Sequence, residues 1–178
     1  MEKLSPIKQK FILHWGEMGT RWGINRTVAQ IHALLYISPK PLNAEEIAET
    51  LSVARSNVST SLRELQNWGI VKIVHVIGDR RDHFESMKGV WEMFRVIVGE
   101  RKRREIDPTL AVLRECVEEA GKEESLDTYT GERIAELLEF MEVMTSWYEQ
   151  LSRMPTGSVI KLVKMGDKVF KLVGASSD

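Results

Sequence analysis

The sequence predicts a mainly α-helical fold, a winged helix-turn-helix domain held between N- and C-terminal dimerisation helices. Three observations predict it. Residues 43–85 read in order as helix, tight turn, helix, strand, basic turn and strand. Amphipathic helical patterns occupy both ends of the chain. Charge is divided as well: residues 1–104 hold 17 Lys and Arg against 11 Asp and Glu, and residues 105–178 hold 8 against 15. The formal net charge of −1 therefore conceals a basic half and an acidic half. Salt screens such fields within about 8–10 Å, so the basic half can face a polyanion while the acidic half faces away.

The first helix opens at Ser5-Pro6, a cap followed by a first-turn proline. Ile7, Phe11, Trp15, Met18 and Trp22 mark its apolar stripe, wide enough to pack on a neighbour or a partner subunit. Gly23 ends it, Asn25 caps the next helix, and Val28, Ile31, Leu34 and Leu35 turn inward there. Pro39-Lys40-Pro41 is a stiff link into the helix-turn-helix.

Asn43 and Glu46 have the spacing of a capping box, and Ala44, Ile47, Ala48 and Leu51 share one face of the helix they open. Ser52-Val53-Ala54 is a tight turn, with Val53 plugging the corner between the two helices. In the second helix Val58, Ser61, Leu62 and Leu65 form the inward stripe, leaving Arg55, Ser56, Asn57, Ser59, Thr60 and Arg63 outside. A helix that enters a major groove needs slim, hydrogen-bonding side chains near its N-terminus: Asn pairs with adenine, Arg with guanine, and Ser and Thr with base or phosphate. Ala54 departs from that pattern, because alanine at the cap cannot accept an amide hydrogen bond. Trp68-Gly69 closes the helix, and Ile70 to Ile77 alternates like a strand. Gly78 to Asp82 supplies the turn, placing Arg80 and Arg81 at a hairpin tip that can reach a minor groove or its flanking phosphates.

The run LSVARSNVSTSLRELQNWGIVKIV followed by GDRRDHFE, together with RWGINRTVAQIHALLYISPKPLNAEEIAETL, resembles the multiple-antibiotic-resistance regulator (MarR) superfamily. It looks closest to the glycine-betaine-synthesis-repressor branch. The resemblance covers about residues 10–100 and implies a dimeric winged-helix transcription regulator. No effector is carried over with it, since no ligand motif matches residue by residue.

Beyond the wing, Ser86 is placed to cap a helix carrying Val90, Trp91, Phe94, Ile97 and Val98. That helix runs into Arg101-Lys102-Arg103-Arg104, which reads either as a phosphate clamp or, preferably, as a helix end whose cations complement the dipole and the acidic segment that follows. Asp107-Pro108 opens a further helix with Leu110, Leu113, Val117 and Ala120 on one face, ended by Gly121. A long helix over 130–153 carries Ile134, Leu137, Met141, Met144, Tyr148 and Leu151 as the seam of an antiparallel bundle or dimer interface. The closing stretch, VIKLVKMGDKVFKLV, reads as helix, with a hairpin turning at Gly166-Asp167 as the alternative.

Several function classes lack their signals. His14, His32, His75 and His83 are scattered without cysteine partners, so no metal site or cofactor is expected. No glycine-rich phosphate loop, nucleophile elbow or specific carboxylate pair points to an enzyme. Cys116 is the single cysteine, among Glu115, Glu118 and Glu119, a setting that disfavours a reactive thiolate. With no signal-like start and no membrane-length apolar run, the expected location is cytoplasmic. Trp15, Trp22, Trp91, Trp147 and Tyr148 lie outside the reading head. Aromatic cages bind quaternary ammonium ions, which makes a choline- or betaine-type effector worth testing, although core and interface packing is the commoner use of such rings.

The expected organisation is residues 1–24 as an N-terminal helix joining the dimer or core, 25–86 as the DNA-binding domain, and 87–178 as a helical dimerisation and effector-binding region. The expected function is a sequence-specific regulator of transcription: a homodimeric repressor on a palindromic double-stranded DNA operator, released by a small-molecule effector. Its two recognition helices would lie about 34–36 Å apart. The alternative is a winged helix used as a protein-interaction module.

Overall fold

The computed structural model describes residues 4–122 and 126–166. Two compact units divide the chain, Met1–Ile97 and Val98–Asp178. The first holds α1 (Pro6–Arg21), α2 (Arg26–Ile37), β1 (Leu42–Asn43), α3 (Ala44–Leu51), α4 (Arg55–Asn67), β2 (Val71–Val76) and β3 (Asp79–Ser86). Helix α5 (Val90–Arg101) crosses the division. The second unit continues with a five-residue π-helical turn, Lys102–Ile106, then α6 (Asp107–Ala120), α7 (Thr128–Arg153) and α8 (Thr156–Met165). The fold is mainly helical with a small antiparallel sheet, the winged-helix arrangement expected.

The core of the first unit is built by α2, α3 and α4, where Ile31, Ile47 and Val58 are fully buried. The inward face of α1 differs from the predicted stripe. Ile7 and Trp22 are exposed, and the line facing inward is Ile12, Gly16 and Gly19, flanked by Phe11, Trp15 and Met18. Glycine is needed there because α1 lies close on α2: a Cβ on Gly19 would come within 2.5 Å of the Ala29 Cβ, and one on Gly16 within 2.7 Å of Gln30 Cγ. Asn25 caps α2 as expected, its side chain accepting from the Thr27 amide.

The sheet has the order β1-β3-β2, with Leu42 opposite Phe84 and Ile73 opposite Phe84 on the other side. The sequence carries no signal for β1, whose two residues are extended only because β3 pairs with them. Ser86 does not cap a helix. It is the last residue of β3, buried, with its hydroxyl donating to the Met87 carbonyl, and Met93 with Val96 and Ile97 supplies the buried face of α5 while Val90 and Phe94 stay exposed. Lys88, between β3 and α5, donates from Nζ to the carbonyls of Leu35, Tyr36 and Ser38 at 2.9, 3.0 and 3.0 Å. These are orphan acceptors at the C-terminal end of α2, where a cation also complements the helix dipole.

In the second unit Asp107-Pro108 does not open a new helix after a break. Pro108 lacks the N–H that would bond the Arg104 carbonyl, and its ring crowds that carbonyl. The chain widens into the π turn instead, with the Asp107 amide bonding the carbonyl of Lys102, and stays helical throughout. The basic cluster is neutralised locally: Arg101 pairs with Glu105, Lys102 with Asp107 (2.7 Å) and Glu149 (3.3 Å), and Arg103 and Arg104 with Glu100. The pairing with acidic residues agrees with the second of its two readings, but the helix end in that reading is absent, because the chain stays helical through the cluster. Leu110 is the buried anchor of α6, which packs on α7 with Arg114 bonded to Glu142.

The predicted seam of α7 divides. Ile134, Met141, Tyr148 and Leu151 are half-buried, but Leu137 and Met144 are exposed and share a row with Phe140 and Trp147. Gly121 caps α6 with an ordinary right-handed φ of −68°. The closing stretch is helical to Met165 and Gly166 caps it at φ +34°. The part of the helix-or-hairpin expectation that falls on 167–173 lies outside the described residues, as does 123–125 of the polar run before α7.

Candidate nucleic-acid interface

The helix-turn-helix is set at both ends by side chains. Asn43 Oδ1 accepts from the Glu46 amide at 3.0 Å while Glu46 Oε2 accepts from the Asn43 amide at 2.8 Å, a complete capping box on α3. At the other end Ser52 takes a left-handed φ of 53°, which turns the chain sharply and lets Val53 pack on the core. Ala54 leaves α4 without a side-chain cap, yet the helix still starts at Arg55. Gly69 closes it at φ +74°.

On α4 the inward line is Val58, Ser61, Leu62 and Leu65, as the periodicity predicts. Ser56, Asn57, Thr60 and Arg63 are exposed. Spacings of four and three put Ser56, Thr60 and Arg63 on one edge, with Asn57 beside them. Arg55 and Ser59 are outward but not free. Arg55 donates from Nε to Glu45 Oε1 at 2.9 Å and from Nη1 to Ser59 Oγ at 2.8 Å, while the Ser59 hydroxyl donates to the Arg55 carbonyl at 3.1 Å. The Arg55 bond holds the Glu45 carboxyl below its usual range. Arg55 thus ties α3 to the first turn of α4.

The wing departs from expectation. Arg80 and Arg81 are not at the hairpin tip, because Ile77 and Gly78 alone make the turn, with Gly78 at φ +87° and Val76 opposite Asp79. Both arginines lie in β3. Between the pairs Val74–His83 and Val76–Asp79, His75 faces three residues, Arg80 to Asp82, so the strand bulges outward there. Asp79 organises the bulge. Its Oδ1 accepts from the Arg81 amide at 3.0 Å, and its carboxylate grips the Arg81 guanidinium through Nε and Nη2. The grip holds the Asp79 carboxyl well below the usual carboxylate range. Buried His83 completes the unit, with Nδ1 donating to the Arg81 carbonyl at 2.9 Å and Nε2 lying 3.6 Å from Asp79 Oδ2. Arg80 stays exposed and, like Arg63, has no ion pair or hydrogen bond among the described residues. The sequence does hold a signal for Asp79: an aspartate two residues before an arginine forms an Asx turn readily.

Elsewhere, no group of three His, Cys, Asp or Glu is close enough to hold a metal ion among the described residues. Cys116 is half-buried on α6. The five aromatics are divided between the two units. Trp15 and Trp22 line a cavity in the first unit that Trp91, on α5, does not reach, and Trp147 and Tyr148 belong to α7.

A model of the MarR family matches residues 22–82, which take in α2, α3, α4, β2 and the bulged start of β3. Residues 22–82 are thus similar to the MarR family. Similarity extends past it. The chain is 23% identical over 154 residues to the HTH-type transcriptional repressor GbsR of Bacillus subtilis, covering 83% of this chain and 85% of that one. It is 22% identical over 153 residues to the putative HTH-type transcriptional regulator YvaV of the same organism, covering 85% and 86%. A crystal structure described as a transcriptional regulator superposes with a TM-score of 0.64 at 21% identity, over 83% of this chain and 96% of that one, and so shares the fold. The MarR-family match ends at Asp82, so it contains every one of the eight residues expected to contact DNA.

Proposed function

We propose that this chain is a sequence-reading regulator of transcription that lays α4 in the major groove of double-stranded DNA. The observation that carries the reading is the divided helix, buried along Val58, Ser61, Leu62 and Leu65 and offering Ser56, Asn57, Thr60 and Arg63 to solvent inside the stretch that a MarR-family model matches. In this reading Asn57 and Arg63 contact base edges, and Ser56 and Thr60 contact bases or phosphates. Arg80 and Arg81 meet the backbone flanking the site, Arg81 at a position fixed by Asp79. Arg55 and Ser59 orient the helix and contact phosphate at most, since their donors are already engaged.

The active form is a homodimer on a palindromic operator. Its support is the row Leu137, Phe140, Met144 and Trp147 on α7, spaced three, four and three and about half exposed, which a second copy would cover. Repression is proposed from the similarity to GbsR, itself named a repressor, and release by a small effector completes the cycle. The proposed role is regulatory rather than catalytic, and the proposed place is the cytoplasm with the DNA it reads.

Selection of duplexes from a random pool, followed by a salt series on the winner and on a scrambled control, tests this. A palindromic winner that binds at least 10³-fold tighter than the control, with log affinity falling steeply with log salt, is expected. An unenriched pool would transfer the wing and α4 to a role in protein interaction.

A further inference from the structure

We infer that Glu45, on α3, is a specificity-determining residue: it fixes Arg55 in one pose, so that the guanidinium takes a phosphate of the operator but cannot swing to follow the backbone of another duplex. The inference deepens the function proposed above and rests on α4 being the helix that reads DNA.

The geometry is a closed relay. Glu45 Oε1 accepts from Arg55 Nε at 2.9 Å, Arg55 Nη1 donates to Ser59 Oγ at 2.8 Å, and the Ser59 hydroxyl donates to the Arg55 carbonyl at 3.1 Å. The guanidinium is thereby held on two of its nitrogens, while Nη2 has no hydrogen bond or ion pair among the described residues. About half of each charged side chain is exposed, so that remaining nitrogen stays within reach of a polyanion. A phosphate contact carries no sequence information by itself, and any duplex can offer one to a flexible arginine. Holding the side chain beforehand changes the balance. On the operator, where base contacts fix the seat of α4, a pre-placed donor binds without the entropy cost of ordering it. On other duplexes α4 is not held in that register, and a locked arginine cannot search for a phosphate.

The capping box of α3 uses Asn43 and Glu46, which leaves the Glu45 carboxylate to α4. An exposed pair of this kind adds little to stability, so its removal leaves the chain folded. The wing repeats the arrangement, with Asp79 holding Arg81 through Nε and Nη2, whereas Arg63 and Arg80 have no such partner among the described residues. The reading head thus combines fixed arginines with adaptable ones.

Two variants of the full chain separate position from charge. Glu45→Ala removes the lock and the charge together; Glu45→Gln removes the same charge but keeps an oxygen for Arg55 Nε. Affinities for the selected operator and its scrambled control would be measured by fluorescence anisotropy at one salt concentration. Both variants should bind the scrambled duplex more tightly than the wild type, since a negative charge is gone. Preference for the operator should fall about three- to tenfold in Glu45→Ala and stay within about twofold of the wild type in Glu45→Gln. Without DNA, the Arg55 Nε–H resonance should exchange slowly with water in the wild type and in Glu45→Gln, and be lost in Glu45→Ala. An undiminished preference in Glu45→Ala, an equal loss in both variants, or a rapidly exchanging Arg55 Nε–H in the wild type would overturn the inference. A wild type that prefers no duplex is a different result, which overturns the DNA-reading function and this inference with it.

Discussion

The pH dependence of folding should carry a signature of His32 that can be worked from its surroundings. Its ordinary pKa of 6.5 falls to about 4 in the native state, through burial first and the Lys88 charge second. The unfolded chain therefore takes up a proton below pH 6.5 that the native chain refuses until about pH 4. Stability contributed at this site is complete above pH 6.5, declines as the pH falls, and is gone below about 4. The gap of about 2.5 pH units, at 1.36 kcal/mol each, amounts to about 3 kcal/mol. Urea unfolding of the wild type and of His32→Phe at pH 7, 6, 5 and 4 isolates it, because carboxylates common to both chains cancel in the difference. Phenylalanine has nearly the same volume and no nitrogen to leave unpaired, so the variant should match or slightly exceed the wild type at pH 7. It should lead by about 3 kcal/mol at pH 4. Parallel curves across the range would mean that His32 is solvated or paired in the native protein.

Other substitutions test the packing and the wing. Gly19→Ala gains about 1 kcal/mol of helix preference but places a methyl 2.5 Å from Ala29 Cβ, and overpacking at about 1–3 kcal/mol wins, so the midpoint of urea unfolding should drop. Asn43→Ala removes the Oδ1 that accepts from the Glu46 amide while keeping the backbone amide that bonds Glu46 Oε2, at a residue 1% exposed, and should cost about 1–2 kcal/mol by the same assay. Lys88→Met leaves three carbonyls at the end of α2 without their cation and should cost about 1–2 kcal/mol, with faster amide exchange in the last turn of that helix as the local readout. Asp79→Asn keeps an oxygen for the Arg81 amide while removing a negative charge beside the two arginines. Affinity for random DNA at low salt should rise severalfold, and an unchanged value would place the wing away from DNA.

Much of the first unit is legible in the sequence because its determinants are local. The capping box needs only Asn43 and Glu46, the inward face of α4 is a spacing within one helix, and Gly69 marks its end with a conformation that glycine adopts freely. What escapes depends on partners distant in sequence. β1 exists because β3, some forty residues on, offers it a ladder, and Ser86 has the look of a cap although its pairing with Val71 keeps it in that sheet. Gly16 and Gly19 look like weak points of a helix until the approach of α2 shows what they admit. In the wing, sequence alone misplaces the turn, since Asp79 folds its side chain back on Arg81 and the loop shortens to Ile77-Gly78. Beyond it, Pro108 reads equally well as a helix start and as an interruption absorbed by a π turn, and only the i−5 bond to Lys102 decides.

In the proposed complex Asn57 reads a base while Arg80 only holds the backbone, and one comparison separates the two roles. Affinities of the wild type, Asn57→Ala and Arg80→Ala would be measured by fluorescence anisotropy on the selected operator and on duplexes with each base pair changed in turn. Asn57→Ala should erase discrimination at one position per half-site, worth about 1–3 kcal/mol, and leave the salt slope nearly unchanged. Arg80→Ala should weaken all duplexes alike and lower the slope by about 0.9 for each phosphate that the arginine neutralises. If both variants keep the wild-type base profile and salt slope, α4 and the wing do not read DNA.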